Sequence, residues 1–144
     1  MPVPALCDVN VLLALLTNAH SKNVEATRWF EQQPAGGVKI CRATQLGLLR
    51  LLNNPSVMKD DVQNGADCWD IWKQLLKDHR IRFVATEPAG IEKAFMQLTA
   101  TKSYAHAIWP DAYLAAFAIA GNLTLATFDK GFSQYKGLKL DTLA

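Results

Sequence analysis

The chain has 144 residues, half of them hydrophobic and 19% charged. That is enough for one domain with a sizeable core and an ordinary water-exposed surface. A net charge of +2 neither marks nor excludes a nucleic-acid partner, because a local patch matters more than the total. No basic-plus-apolar leader opens the chain, and the longest uncharged apolar run, Ala112 to Gly121, falls well short of the ~20 residues of a membrane span. A soluble, cytoplasmic protein is expected.

Val3 to Cys7 reads as a short buried strand, followed almost at once by a helix from Val9 to Thr17. Asn10, Leu13, Ala14 and Thr17 share one face of that helix. Asn23 to Gln33 is predicted as a second helix, stopped by Pro34-Ala-Gly-Gly37, and Val38 to Cys41 as a second strand. A third helix runs from Thr44 to Asn53 and ends at Asn54-Pro55. Asp60 to Asp78 is predicted as one long amphipathic helix with Val62, Ala66, Trp69, Trp72, Leu75 and Leu76 pointing inward.

Ile81 to Ala85 follows as a strand, Pro88 to Leu98 as a helix, and Ala100 to Ile108 as a polar, aromatic loop. Pro110 opens the next helix, in the first-turn position where its missing N–H does no harm. That helix stops at Gly121-Asn122, a left-handed cap signal. Leu123 to Thr127 and Leu138 to Leu140 close the set as strands. No repeat or linker divides residues 1–144, so one domain is expected. Alternating strands and helices imply a parallel α/β sheet covered on both faces. Cys7, Cys41 and Cys68 are widely spaced with no C-x-x-C pair, which favours reduced, buried thiols over disulfides or a zinc site.

Three aspartates stand out against this frame. Asp8 interrupts the apolar stretch LCDVNVLLALL, ending the first strand and beginning the first helix. Asp129 follows the strand LTLAT, and Asp111 tops the apolar stripe of Leu114, Ala115 and Ala118. In open parallel sheets, ligands sit beyond the carboxyl ends of the strands. Singly, Asp111 reads as a helix cap and Asp129 as a turn former. Together the three form a set of hard oxygen donors suited to Mg²⁺ or Mn²⁺.

The stretches LCDVNVLLALL, TQLGLLRLL and WPDAYLAAFAIAGNLTLATFDKGF, in that order, resemble the PIN-domain ribonucleases. Among those they are most similar to VapC-type toxins of toxin–antitoxin pairs. The resemblance spans Leu6 to about Leu140. It implies a three-layer α/β/α sandwich with a central, mostly parallel sheet, and divalent-metal-dependent endonucleolytic cleavage of RNA. It also implies a cognate VapB-like antitoxin, and relatives of this kind often form homodimers. Asp8, Asp111 and Asp129 fall on the family's aspartate positions, and Thr127 on a hydroxyl position beside them.

One departure is Gln45, where many PIN domains carry a glutamate. Its place on the stripe with Leu49 and Leu52 aims it at the pocket, where its amide would position a water without adding charge. Weaker metal affinity follows from that. Asn10 and Thr127 are expected as hydrogen-bonding supports, and the products as a 5′-phosphate and a 3′-hydroxyl. Arg42, Arg50 and Lys130 are candidates for RNA phosphates and, equally, solvated charges. Tyr104, His106 and Trp109 stand in the loop before Asp111, where aromatics can stack on unpaired bases or simply pack.

Two other readings compete. One is a PIN-like RNA-binding module in which Gln45 has ended catalysis. The other is a haloacid-dehalogenase-type phosphotransferase, disfavoured because Asn10 stands where a second aspartate is needed.

Overall fold

The computed structural model describes residues 3–143, so the extreme ends of the expected 1–144 domain lie outside the described residues. Five strands are formed: β1 (Ala5–Cys7), β2 (Val38–Cys41), β3 (Ile81–Val84), β4 (Thr124–Thr127) and β5 (Lys139–Thr142). They make one sheet in the order β3-β2-β1-β4-β5, and every neighbouring pair is parallel. Cys7 pairs with Ala126 at the carboxyl end of the β1–β4 ladder. Chain order runs outward in both directions from this pair, so the gap beyond β1 and β4 is the point where strand order reverses.

The helices are α1 (Val9–Leu16), α2 (Asn23–Glu31), α3 (Arg42–Leu52), a single turn α4 (Pro55–Met58), α5 (Gly65–Leu76), α6 (Ile91–Thr99) and α7 (Trp109–Ala120). Side chains alternate along the strands and divide the core in two. Ala5, Cys7, Ile40 and Ala126 join the buried faces of α1, α2, α3 and α5. Leu6, Cys41 and Leu125 face the other way, against α7 and the edge of α6. Burial on both faces is what a parallel sheet demands, and it makes the expected α/β/α sandwich. The three cysteines are buried and free, as expected.

Three elements differ from their predicted forms. The expected 60–78 helix is broken: Lys59–Asp61 is a tight 3₁₀ turn, and α5 begins only after Asn64, whose side chain accepts from Asp67 N at 2.8 Å. The buried stripe of α5 is Cys68, Trp72 and Leu75, while Val62, Ala66, Trp69 and Leu76 are exposed. α6 starts at Ile91 rather than Pro88 because Gly90 takes φ +84°, outside helical space. At the end of α7 the left-handed residue is Asn122, at φ 53°, and not Gly121. Among the described residues, no helix is long and apolar enough to cross a membrane.

Candidate active site

Asp8 follows β1 directly and caps α1. Its Oδ1 accepts from the backbone N–H of Val9 at 2.7 Å, satisfying one of the donors a helix start leaves open. Its Oδ2 accepts from the hydroxyl of Thr127, at the end of β4, at 2.7 Å. The carboxyl is only 8% exposed. Burial raises its pKa, the hydrogen bonds from Thr127 and Val9 oppose the rise, and Asp129 adds to it. The buried acid is therefore held by two donors, with a second negative group, Asp129, close enough to be felt.

Thr127 is the hub of this corner. It is wholly buried, and its oxygen also accepts from Asp129 N at 3.0 Å and from Asn10 Nδ2 at 3.4 Å. Asn10 in turn accepts from Phe128 N at 3.3 Å. A side chain from the first turn of α1 thus ties down the backbone that leaves β4. Asp129 starts the 3₁₀ turn Lys130–Gln134, its Oδ1 accepting from Gly131 N at 2.8 Å.

Asp111 stands at the exposed rim, in the first turn of α7. The surrounding wall and then the carboxylates of Asp8 and Asp129 raise its pKa. Asp111 thus feels the charge of both Asp8 and Asp129, and Asp8 that of Asp129. Among the described residues, however, no three His, Cys, Asp or Glu side chains stand close enough to form a ready-made cage for a metal ion. Such spacing suits three like charges at the mouth of a crevice.

Residues 5–138 match the family described as PIN domain. The chain belongs to the PIN-domain family. A relative named Ribonuclease VapC41, from Mycobacterium tuberculosis, is 38% identical to this PIN domain over 96% of the chain and 98% of its own length. Among solved structures, VapC20 of M. tuberculosis, described as a Sarcin-Ricin loop cleaving toxin, superposes with a TM-score of 0.66 at 14% identity, covering 94% of this chain and 98% of that one. VapBC2 of Rickettsia felis, bound to a DNA fragment from its promoter, gives 0.66 at 13% identity, covering 97% and 98%. Those two likenesses establish the PIN architecture.

The remaining predicted positions divide. Gln45 is buried in the first turn of α3, at the carboxyl end of β2, but its Oε1 accepts from Arg42 Nη1 at 2.6 Å. A guanidinium has only donors, so the contacting atom must be the oxygen. The amide oxygen expected to position a water thus already accepts one hydrogen bond, which leaves its second lone pair and its two N–H donors for such a role. Arg42 also lies over the ring of Phe83, 4.8 Å from its centroid. Arg50 is in the last turn of α3, the end away from the carboxylates, eight residues and about 12 Å along the axis from Arg42, so it leaves the candidate set. Lys130 directly follows Asp129 and is exposed.

The loop aromatics do not form one surface in this PIN domain. Tyr104 is 99% exposed, whereas Trp109 packs edge-on against Phe95 of α6, with ring centroids 5.8 Å apart. His106 opens a short 3₁₀ turn and is exposed. A groove of about 770 Å³, bordered by Leu15, Leu16, Phe30, Leu52 and Ile71, includes none of the three aspartates.

One residue at the corner was not anticipated. Tyr135, at the end of the 3₁₀ turn that Asp129 begins, is buried beside Phe132. Burial and the carboxylates of Asp111 and Asp129 raise its pKa, so it keeps its proton at neutral pH. The only signal in the sequence was its place six residues after Asp129, within a turn that folds back on itself.

Proposed function

We propose that the chain is a divalent-metal-dependent endoribonuclease, the toxin of a VapBC-type toxin–antitoxin pair, cleaving RNA to 5′-phosphate and 3′-hydroxyl ends. The reading is carried by the coupling of Asp8, Asp111 and Asp129 at the sheet's reversal point, in a chain 38% identical over nearly its whole length to a relative named a ribonuclease. The VapBC complexes among the solved relatives support an antitoxin as its partner.

PIN-domain ribonucleases are in general divalent-metal dependent. The residues of this chain fit such an ion by their chemistry. Asp8, Asp111 and Asp129 offer hard carboxylate oxygens, and burial together with the neighbouring carboxylates raises the pKa values of Asp8 and Asp111. A divalent cation would offset that gathered negative charge. We assign Asp8, Asp111 and Asp129 as the groups that hold Mg²⁺ or Mn²⁺. A divalent cation supplies the positive charge that activates water as a nucleophile and neutralises the attacked phosphate.

The protein's own contribution is placement. Thr127 fixes one oxygen of Asp8 and the amide of Asp129 with a single hydroxyl, and Asn10 holds Thr127 in that orientation. Partners of this kind set ligand direction. Arg42, at the start of α3, and Lys130, directly after Asp129, are the cations for backbone phosphates, giving affinity without sequence information.

A cleavage assay on a mixed single-stranded RNA pool tests this reading, run with Mg²⁺, with Mn²⁺ and with chelator. Wild-type protein is expected to cut only with metal. Asp8→Asn is expected to lose activity on the order of a hundredfold or more, as when one preorganised electrostatic group is removed from an active site. RNA retained by the wild type without any cut, at every metal concentration, would favour the binding module instead.

A further inference from the structure

Among the described residues, two side-chain polar atoms are buried without a hydrogen-bond partner: Glu25 Oε2 and Tyr135 Oη. Glu25 lies in a surface cleft with Arg28, a cation one helical turn along. Tyr135 is instead acted on by acids, the carboxylates of Asp111 and Asp129. It is 7% exposed, its ring lies 6.0 Å from that of Phe132, and it shares a buried cluster with Ala112 and Ala115 of α7.

An unpaired buried hydroxyl destabilises a fold by about 1–3 kcal/mol. A phenylalanine would fill the same space without that cost. The hydroxyl is thus a donor that packing does not explain, and its surroundings point to a use. Ala112 adjoins Asp111, and the turn that ends at Tyr135 begins at Asp129. Asp129 has committed Oδ1 to Gly131 N and needs a fixed direction for Oδ2. Among the described residues, none hydrogen-bonds the Asp111 carboxylate. Both carboxylates act on the phenol of Tyr135, so it is an unused donor near the two acids that lack a side-chain donor, while Asp8 already has Thr127.

Given the metal-dependent nuclease reading above, we propose that Tyr135 is a positioning residue of the acidic site. Its hydroxyl, left without a partner in the metal-free fold, becomes a donor to the carboxylates of Asp111 and Asp129 when they turn to hold a divalent cation, and so orients them. The hydroxyl is buried, so it acts through those carboxylates and does not touch RNA.

The test compares wild type with Tyr135→Phe by thermal melting without metal, by calorimetric titration with Mn²⁺, and by RNA cleavage across Mn²⁺ concentrations. The metal-free melting temperature is expected to hold or rise, because an unpaired hydroxyl is removed and the ring kept. Mn²⁺ affinity is expected to fall about tenfold, the usual scale for losing a group that orients a metal ligand. Cleavage returns as Mn²⁺ is raised, so the loss lies in metal uptake more than in the maximal rate. In an Asp129→Asn background the same substitution should have little further effect on affinity, the mark of two coupled groups.

Unchanged Mn²⁺ affinity in Tyr135→Phe, with the wild type binding and cleaving normally, overturns the proposal and leaves the nuclease reading intact. A large fall in metal-free melting temperature without a change in affinity also overturns it, by showing a structural hydroxyl. A wild type that takes up no divalent cation overturns both.

Discussion

Gln45 shows at the scale of one side chain how this PIN domain departs from its family's pattern. The amide is buried and its oxygen accepts from Arg42, so it brings no charge to the crevice and only part of its acceptor capacity. Gln45→Glu would keep the contact with Arg42 as an ion pair and add a fourth carboxylate. Mn²⁺ affinity is then expected to rise severalfold, since charge count tunes such sites, and calorimetry reads the change directly. Unchanged affinity would place residue 45 outside the metal's reach. Asp8 was legible in the sequence because a lone acid in an apolar run needs a reason to be buried. Tyr135 was not, because an aromatic in a turn looks like any core residue until its hydroxyl is seen to lack a partner.

Where elements meet, the Asn10–Thr127 latch joins α1 to the end of β4, and one hydroxyl serves Asp8, Asp129 and Asn10. Thr127→Val keeps the shape and removes that hydroxyl. It leaves the carboxylate Oδ2 of Asp8 and the N–H of Asp129 without this partner, at a cost of about 1–3 kcal/mol. A urea or thermal melt of the metal-free protein should show the loss. No loss would mean that the hydroxyl is unimportant to the folded state. Elements of this kind were well signposted by periodicity: all five strands and α1, α2, α3 and α7 lie close to their expected bounds.

The failure at α5 has a definite cause. Starting the helix at Asp60 set the wrong phase, and the size of Trp69 favoured a stripe that the structure exposes at 48%. The cap at Asn64 and the positive φ of Lys59 fix the true start, and neither is visible as hydrophobic periodicity. In α6 a single glycine, Gly90, delayed the start by three residues for the same reason.

For the whole molecule, the sheet order places the ends of β1 and β4 side by side and so gathers acids from three distant segments. The same topology gives a sign to the pH dependence. Asp8 and Asp111 both have raised pKa values in the folded chain. Their contribution to stability is thus fully present below the unfolded carboxylate pKa and is lost as pH rises through the raised values. Asp78 runs the other way: its hydrogen bonds to Arg80 hold it down to about 2. Its contribution is complete above the unfolded value and does not interfere at pH 5 or higher.

Protons and a divalent cation therefore compete for the same oxygens. The rise in melting temperature produced by saturating Mg²⁺ is expected to be large at pH 8 and to shrink toward pH 5, while the metal-free protein gains stability from these two acids over the same descent. Asp8→Asn removes one of the competing groups and one of the ligands together. It is expected to melt a few degrees higher than wild type without metal at pH 8, and to show a smaller and flatter response to Mg²⁺. A wild-type response to Mg²⁺ that stays constant from pH 8 to pH 5 would mean that the cation binds away from the coupled aspartates, and the metal assignment would have to move with it.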